Sequence, residues 1–346
     1  MKISKEKWQF EDEHFGPLLG YVQDDNVTDI NYNGTDVWID DLTKGRYKAD
    51  ITLTPEFINR FSVRIADLVS GTFNQYSPLL EAETETLRIS IIHESVANTG
   101  RSISIRKTPV IKRLNKKKML SEAYCSEETL TFLENCVKGK MNMVMCGLPG
   151  TGKTEFLKYL TSFIPQNDRA ITIEDNLEIH YSSINPGKDC VELKVTEKFT
   201  YVDAIKACLR QNPQWILLSE ARSSEVKYLI ESMSTGTHCL TTLHTDDVRK
   251  IPDRIKNMVE DSRIAAHMEN DTHAFLDVGV LIRKGSKDGK IYRYIDQVCL
   301  FSREGSENKI QVIVEDGKIV SKEIPHEVKR KFHVYGIFNP FSPNGF

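Results

Sequence analysis

The sequence contains no pair of cysteines at the C-x-x-C spacing, although it has seven cysteines in all. Their odd number and scattered positions argue against both a disulfide framework and a structural zinc site. Unpaired thiols are typical of a reducing compartment such as the cytoplasm. We therefore expect a cytoplasmic protein that is stabilised by its hydrophobic core.

Long hydrophobic runs and an excess of basic charge are also missing. No uncharged apolar run approaches the roughly 20 residues of a membrane-spanning helix, and the first residues show no signal-peptide pattern. The 46 Lys and Arg against 49 Asp and Glu give a net charge of −3. General nucleic-acid binders are usually basic. We expect no sequence-specific nucleic-acid binding, and membrane contact only at the periphery, through partner proteins.

The chain of 346 residues is long enough for two domains. Residues 1–107 mix strand and helix patterns and predict a smaller α+β N-terminal domain. Residues 108–130 predict a basic linker and the start of a connecting helix. Residues 131–346 predict the second domain. The N-terminal strand predictions are 27–34, 37–40, 87–93 and 102–107, and the helix prediction is 57–69.

The linker is marked by four lysines and an arginine within 112–118. A solvated, extended connector is one interpretation of this charge, and contact with anionic lipid or an acidic partner is the other. The segment 126–137 then predicts a helix, because Ser126 is a good N-cap and two glutamates follow it in the first turn.

Beyond residue 141, short apolar strands alternate with helices, which predicts an α/β fold with a mainly parallel sheet. The predicted strands are 142–146, 170–174, 215–219 and 238–243, and the predicted helices are 153–163, 201–210 and 223–232. A β-rich C-terminal segment follows, with strands at 278–282, 292–300, 309–314 and 319–323. Asp-Gly pairs at 288–289 and 316–317 predict hairpin turns.

The segment 147–154 reads G-L-P-G-T-G-K-T and matches the phosphate-binding pattern G-x-x-x-x-G-K-[ST]. Glycines allow a tight turn around phosphate oxygens, and the helix that follows presents its positive end. Lys153 is expected to reach the β- and γ-phosphates of ATP, and Thr154 to ligate Mg²⁺. The predicted nucleotide-binding residues are Gly147, Leu148, Pro149, Gly150, Thr151, Gly152, Lys153, Thr154 and Glu155.

Two acids follow predicted strands directly, Glu174 and Glu220, and both are candidates for catalysis. We favour Glu174 for orienting water and Glu220 for the Mg²⁺ shell, but the pattern leaves the choice open. Asp175 and Glu178 are either site residues or ordinary first-turn acids. His244 ends a strand at the same edge and is a candidate sensor of the γ-phosphate, whereas His238 is expected to be structural.

Four motifs occur in an order that resembles the type II and type IV secretion-system motor ATPases, which include conjugation and pilus-assembly ATPases. The phosphate-binding loop is the first. The segments 173–178, 209–222 and 235–245 resemble the family's aspartate box, Walker B region and histidine box. Two departures stand out: Ser219 replaces the usual Gly before the acid, and Thr237 shifts His238 by one position. The N-terminal resemblance is weaker.

The resemblance implies a RecA-like P-loop motor core, preceded by the N-terminal domain, in a homo-hexameric ring that hydrolyses ATP with Mg²⁺. It implies partners among inner-membrane secretion or pilus-assembly proteins. Arginines are expected to stabilise the γ-phosphate charge: Arg106 and Arg88 from the N-terminal domain, and Arg210 and Arg222 beside the Walker B segment. A nucleic-acid translocase or helicase, and a nucleotide-dependent switch with little turnover, are the alternative functions.

Overall fold

The computed structural model describes residues 12–345, so the N-terminal segment that we expect to lack a signal peptide lies largely outside the described residues. Its contacts divide the chain into two units. The first extends as far as Val110 and includes Ser286–Ile291, and the second comprises Ile111–Gly285 and Tyr292–Phe346. Over the described range, none of the helices combines the length and the apolar character needed to span a membrane.

The first unit is built on a six-stranded sheet with the order β3-β2-β1-β6-β5-β4. Alternate strand residues are buried, so one face of the sheet forms the core with the apolar side of α2 and the other face is polar. Thr54 caps α2 by accepting a hydrogen bond from the Phe57 amide at 3.2 Å. The strands are β1 (Val27–Tyr32), β2 (Val37–Asp41), β3 (Gly45–Lys48), β4 (Leu79–Glu83), β5 (Leu87–Ile92) and β6 (Ser102–Lys107), and the helices are α1 (Leu19–Gln23) and α2 (Pro55–Leu68).

The second unit is built on a nine-stranded sheet. Its strands are β7 (Met143–Cys146), β8 (Ala170–Glu174), β9 (Cys190–Lys194), β10 (Trp215–Leu218), β11 (His238–Leu243), β12 (Val278–Lys287), β13 (Lys290–Glu304), β14 (Glu307–Glu315) and β15 (Lys318–Ile319). The order is β15-β14-β13-β12-β7-β11-β10-β8-β9. The pairs from β12 to β9 are parallel, whereas β13, β14 and β15 pair antiparallel. The expected mainly parallel sheet is confirmed.

Helices cover both faces of this sheet. Met143 and Met145 of β7 pack on one side with α4, α5 and α11, while Val144 and Cys146 pack on the other side with α7, α8, α9 and α10. Burial on both faces explains why these strands are continuously apolar. The helices are α3 (Lys116–Ser121), α4 (Glu127–Lys138), α5 (Lys153–Leu160), α6 (Tyr181–Ile184), α7 (Tyr201–Cys208), α8 (Glu225–Ser234), α9 (Ile251–Lys256), α10 (Ser262–Phe275) and α11 (His326–Val334).

Most predicted elements of this unit are present, with ends that shift by a few residues. The helix expected over 153–163 is α-helical to Leu160 and 3-10 helical from Thr161 to Phe163. Both Asp-Gly pairs form turns with positive φ at each residue, as hairpin turns of this kind require. The strand predicted at 319–323 is wrong in extent, because β15 ends at Ile319.

The expected basic linker is not extended throughout, because residues 108–115 contain no helix or strand whereas residues 116–121 are helical. The lysine-rich segment forms α3, whose N-cap is Asn115: its Oδ1 accepts a hydrogen bond from the Lys118 amide at 2.9 Å. Lysine is a good helix former and asparagine a strong N-cap, so local preference favours a helix here. Ser126 caps the following helix, α4, as predicted.

Candidate nucleotide-binding site

The loop between β7 and α5 has a backbone that depends on glycine. Gly147, Gly150 and Gly152 have φ values of +147°, +75° and +89°. A Cβ atom on Gly147 would lie 2.4 Å from the Ile282 carbonyl oxygen and 2.8 Å from Thr151 Oγ1. The loop can therefore keep this path only with glycine at its first position.

Lys153, the first residue of α5, turns its side chain back into this loop. Its Nζ donates hydrogen bonds to the carbonyl oxygens of Gly147 at 3.0 Å and Leu148 at 3.2 Å, and lies 3.2 Å from His244 Nδ1. Burial lowers the pKa of Lys153, while the negative charges of Glu220 and Glu178 act in the opposite direction. The ammonium hydrogens that now bond to these carbonyl oxygens would also be available to the oxygens of a phosphate bound in the loop.

The parallel register brings the predicted acids and His244 to the edge of the sheet that carries the loop. Glu174 is the last residue of β8, Glu220 follows β10, and His244 follows β11. The carboxyl ends of neighbouring parallel strands meet at one edge, which is where open α/β sheets bind ligands.

Glu220 is the centre of a charged network at this edge. His244 Nε2 lies 2.8 Å from one carboxylate oxygen, and Arg222 lies 2.8 Å from the other. Arg222 also contacts Asp175 at 2.7 Å. Since His244 Nδ1 is 3.1 Å from the Gly147 carbonyl oxygen, the network runs from the loop to Asp175.

Glu174 and Glu178 occupy different environments. Glu174 is fully buried, and its Oε2 accepts hydrogen bonds from the backbone amides of Glu178 at 2.8 Å and Ile179 at 3.0 Å. Burial raises the pKa of Glu174 to about 8, although these two hydrogen bonds act to lower it. Glu178 is only partly buried, and its Oε2 accepts a hydrogen bond from Thr154 Oγ1 at 3.3 Å. Glu178 therefore contacts the residue expected to ligate the metal.

Further side chains contact the loop or its helix from distant parts of the chain. Arg293, on β13, donates from Nε to the Gly150 carbonyl oxygen at 3.2 Å. Glu155 accepts a hydrogen bond from the Arg113 amide at 3.3 Å and pairs with Lys158 at 3.3 Å. Arg293 could not be predicted as a loop contact, because nothing in its local sequence indicates that β13 lies near the loop.

Of the remaining predicted arginines, two belong to the N-terminal unit and one to the unit that carries the loop. Arg88 and Arg106 face each other across β5 and β6 on the polar face of the N-terminal sheet, where Arg106 pairs with Asp29 at 2.7 Å and Arg88 lies 3.9 Å from Glu81. Arg210 is exposed between α7 and the amino end of β10, at the opposite edge of the sheet from the loop.

His238 also lies at that opposite edge. It is the first residue of β11, and its ring packs on Trp215 with the ring centroids 5.3 Å apart. Burial lowers the pKa of His238 to about 4. This packing is what a structural histidine would show.

The oxygen atoms of Thr154, Glu178 and Glu220 suit Mg²⁺, which prefers hard oxygen ligands. Within residues 12–345, no group of three or more His, Cys, Asp or Glu side chains could hold a metal ion by itself. Such a site fits Mg²⁺ that is bound mainly through the phosphates of a nucleotide, with one or two protein ligands.

The fold and the loop together define a P-loop protein in which a RecA-like core follows an N-terminal domain along the chain. Residues 80–276 match the family model described as Type II/IV secretion system protein, and the chain belongs to this family. The resemblance drawn from the four motifs is thereby confirmed.

Individual proteins are similar to this chain over different lengths. An uncharacterized protein of Bacillus anthracis is 29% identical over 309 residues, which cover 85% of this chain and 69% of that protein. The type IV secretion system protein VirB11 of Bartonella quintana is 31% identical over 159 residues, 44% of each chain. The crystal structure of the pilus retraction motor PilT with bound ADP superposes with a TM-score of 0.61 at 18% identity, over 86% of this chain and 84% of PilT. The chain thus spans less than half of the VirB11 protein.

Proposed function

We propose that this chain is an ATP-hydrolysing subunit of a hexameric motor that powers macromolecular secretion, conjugative transfer or pilus-like assembly. The observation that carries the proposal is the convergence of Lys153, His244 and Glu220 on one complete phosphate-binding loop. Family membership supports the class of motor. The names of VirB11, a type IV secretion protein, and PilT, a pilus retraction motor, support the kind of work that it drives.

The proposed site divides the chemistry among the chain's own residues. The loop and Lys153 bind the phosphates, Thr154 and Glu220 hold Mg²⁺, and Glu174 or Glu220 orients the attacking water. Mg²⁺, when bound, would neutralise developing charge on the phosphoryl oxygens. His244 links Lys153 to Glu220. A hydrogen bond from His244 to the γ-phosphate would therefore change the contacts of both residues. Arg222 holds the Glu220 carboxylate in place.

Assembly and placement belong to the same proposal. A ring of six copies would act from the cytoplasmic side of a membrane, through inner-membrane secretion or pilus-assembly partners. Arg106 and Arg88 of the N-terminal domain, and Arg210 beside the Walker B segment, would stabilise transition-state charge when domains or neighbouring copies close on the nucleotide. The family match does not favour the alternative of a nucleic-acid translocase.

Replacement of Lys153 tests the proposal. Lys153→Ala should keep its thermal melting temperature within a few degrees, yet lose Mg²⁺-dependent phosphate release from ATP. Lys329→Ala, which removes an exposed lysine of α11 in the same unit, is the matched control and should turn over like the wild type. Phosphate release by Lys153→Ala at the wild-type rate would show that the site lies elsewhere.

A further inference from the structure

Strands β12 and β13 lie along the phosphate-binding loop. They are neighbours in the sheet, and residues 288–289 form the turn between them. A Cβ atom on Gly147 would lie 2.4 Å from the Ile282 carbonyl oxygen, and one on Gly150 would lie 3.8 Å from Lys284 Nζ. The loop therefore has β12 beside its first and fourth positions.

Arg293 contributes a hydrogen bond from β13 to the same loop. Its Nε donates to the Gly150 carbonyl oxygen at 3.2 Å, and its Cδ would lie 3.5 Å from a Cβ atom on Gly152. Burial lowers the pKa of Arg293, so the guanidinium group is partly withdrawn from water. A hydrogen bond from a charged donor is stronger in such surroundings than at an exposed position. Arg293 is thus well placed to fix the Gly150 carbonyl group.

The carbonyl group of Gly150 and the amide of Thr151 belong to one peptide group. The described peptide bonds are trans, so the C=O and the N–H point in opposite directions. While Arg293 holds the carbonyl oxygen, the Thr151 nitrogen lies 3.4 Å from the Leu148 carbonyl oxygen. That oxygen also accepts a hydrogen bond from Lys153 Nζ at 3.2 Å. The Thr151 amide and the Lys153 ammonium group therefore converge, as groups that bind one phosphate must.

Glycines on both sides of Thr151 give this peptide group little conformational preference of its own. Gly150 and Gly152 have φ values of +75° and +89°, and glycine adopts positive and negative φ about equally well. A flexible loop loses this freedom when it binds a phosphate, and the loss weakens binding. A contact that fixes the peptide group beforehand makes the loss smaller.

We propose that Arg293 is a positioning residue that holds the Gly150–Thr151 peptide group with its N–H directed to the phosphate site. Only the identity of the ligand rests on the proposed function, because the order that Arg293 gives to the loop exists without a nucleotide. Arg293 acts through the loop backbone rather than on the phosphates. Its loss should therefore weaken the binding of every ligand that the loop holds, and should leave the rate of hydrolysis at saturation nearly unchanged.

Three substitutions separate a hydrogen bond to the loop from an effect of charge. Arg293→Met removes both the donor and the charge but keeps an unbranched side chain beside Gly152. Arg293→Gln removes the charge and keeps a donor, because glutamine Nε2 is the same number of bonds from Cα as arginine Nε. Arg254→Gln, which removes the charge of an exposed arginine of α9 in the same unit, is the matched control.

The first measurement needs no ligand. It is hydrogen–deuterium exchange of the nucleotide-free protein, followed by mass spectrometry on peptides that cover residues 147–153. Exchange should be about 10-fold faster in Arg293→Met, and within about threefold of the wild type in Arg293→Gln and Arg254→Gln. Unchanged exchange at Met143–Cys146 shows that the fold is intact. Arg293→Leu removes the same donor and replaces Arg293→Met if thermal melts show that variant to be unfolded.

The second measurement is the affinity for a fluorescent ADP analogue and for inorganic pyrophosphate, which has no base or sugar. Both should bind about 10- to 100-fold more weakly to Arg293→Met, the effect of losing a hydrogen bond to a charged group. Arg293→Gln should bind both within about threefold of the wild type, and kcat at saturating ATP should change by no more than about threefold in either variant.

Wild-type exchange in the loop of Arg293→Met would overturn the proposal, whatever the ligand does. An equal loss of pyrophosphate binding in Arg293→Gln and Arg293→Met, with wild-type loop exchange in Arg293→Gln, would overturn it too, because Arg293 would then act through its charge. A wild-type chain that binds neither the ADP analogue nor pyrophosphate would refute the proposed function, while loop exchange would still decide the role of Arg293.

Discussion

The first glycine of the loop offers a test in which the structure sets the magnitude. In Gly147→Ala the new Cβ would meet the Ile282 carbonyl oxygen at 2.4 Å and Thr151 Oγ1 at 2.8 Å, with φ at +147°. Overpacking costs about 1–3 kcal/mol, and a strained backbone adds about 1–3 kcal/mol. We therefore expect the free energy of unfolding to fall by about 2–6 kcal/mol, together with a displaced loop.

The matched control is Gly236→Ala, because Gly236 has φ of +92° and nothing within 4 Å of its Cβ position. It should show only the backbone cost, about 1–3 kcal/mol. Urea unfolding followed by circular dichroism gives both values, and titration with a fluorescent ADP analogue gives the affinity. Only Gly147→Ala should lose nucleotide binding. If Gly147→Ala is as stable as Gly236→Ala and binds nucleotide like the wild type, the loop path is wrong.

Three further predictions concern pH, turnover and the N-terminal domain. The pKa of His238 is about 4 in the folded state against 6.5 in the unfolded state. The stability that the neutral His238 side chain contributes is therefore fully present above pH 6.5 and is lost as pH falls towards 4. In urea titrations, the free energy of unfolding of the wild type should thus fall by about 2 kcal/mol between pH 7 and pH 5, whereas that of His238→Gln should not. An equal loss in both proteins would contradict this. Glu220→Gln should bind ATP but hydrolyse it about 10²–10⁴-fold more slowly in single-turnover assays, whereas weak binding with normal saturated turnover would be the opposite result. Arg106→Ala should keep ATP affinity within a few-fold and lose most steady-state turnover, by up to about 10³-fold; unchanged turnover would leave its contact with Asp29 as a surface ion pair worth about 0–1 kcal/mol.

Much of the core could be predicted from sequence because its signals are local. The loop pattern lies between an apolar strand and a helix, and strands such as Ala170–Glu174 and His238–Leu243 have the predicted bounds. Parallel pairing then brings the ends of these strands to one edge, which is why Lys153, Glu220 and His244 could be expected to meet.

The remaining contacts depend on long-range packing that a local pattern does not contain. Arg293 reaches Gly150 because β13 pairs beside β12, and β12 beside β7. The sequence leaves Glu178 as either a site residue or a first-turn acid, since its contact with Thr154 depends on two backbone amides that a buried Glu174 holds. The helix at Lys116–Ser121 could not be predicted from periodicity, because three successive lysines show no apolar pattern, although Asn115 is a good N-cap.

The central claim is that the phosphates of ATP bind at the loop through Lys153. A crystal structure of the chain with Mg²⁺ and a non-hydrolysable ATP analogue tests it most directly. We expect the β- and γ-phosphates to lie within the loop at 147–154, with Lys153 Nζ moved from the carbonyl oxygens of Gly147 and Leu148 to phosphate oxygens. An analogue bound elsewhere, with Lys153 still on those carbonyl oxygens, would contradict it.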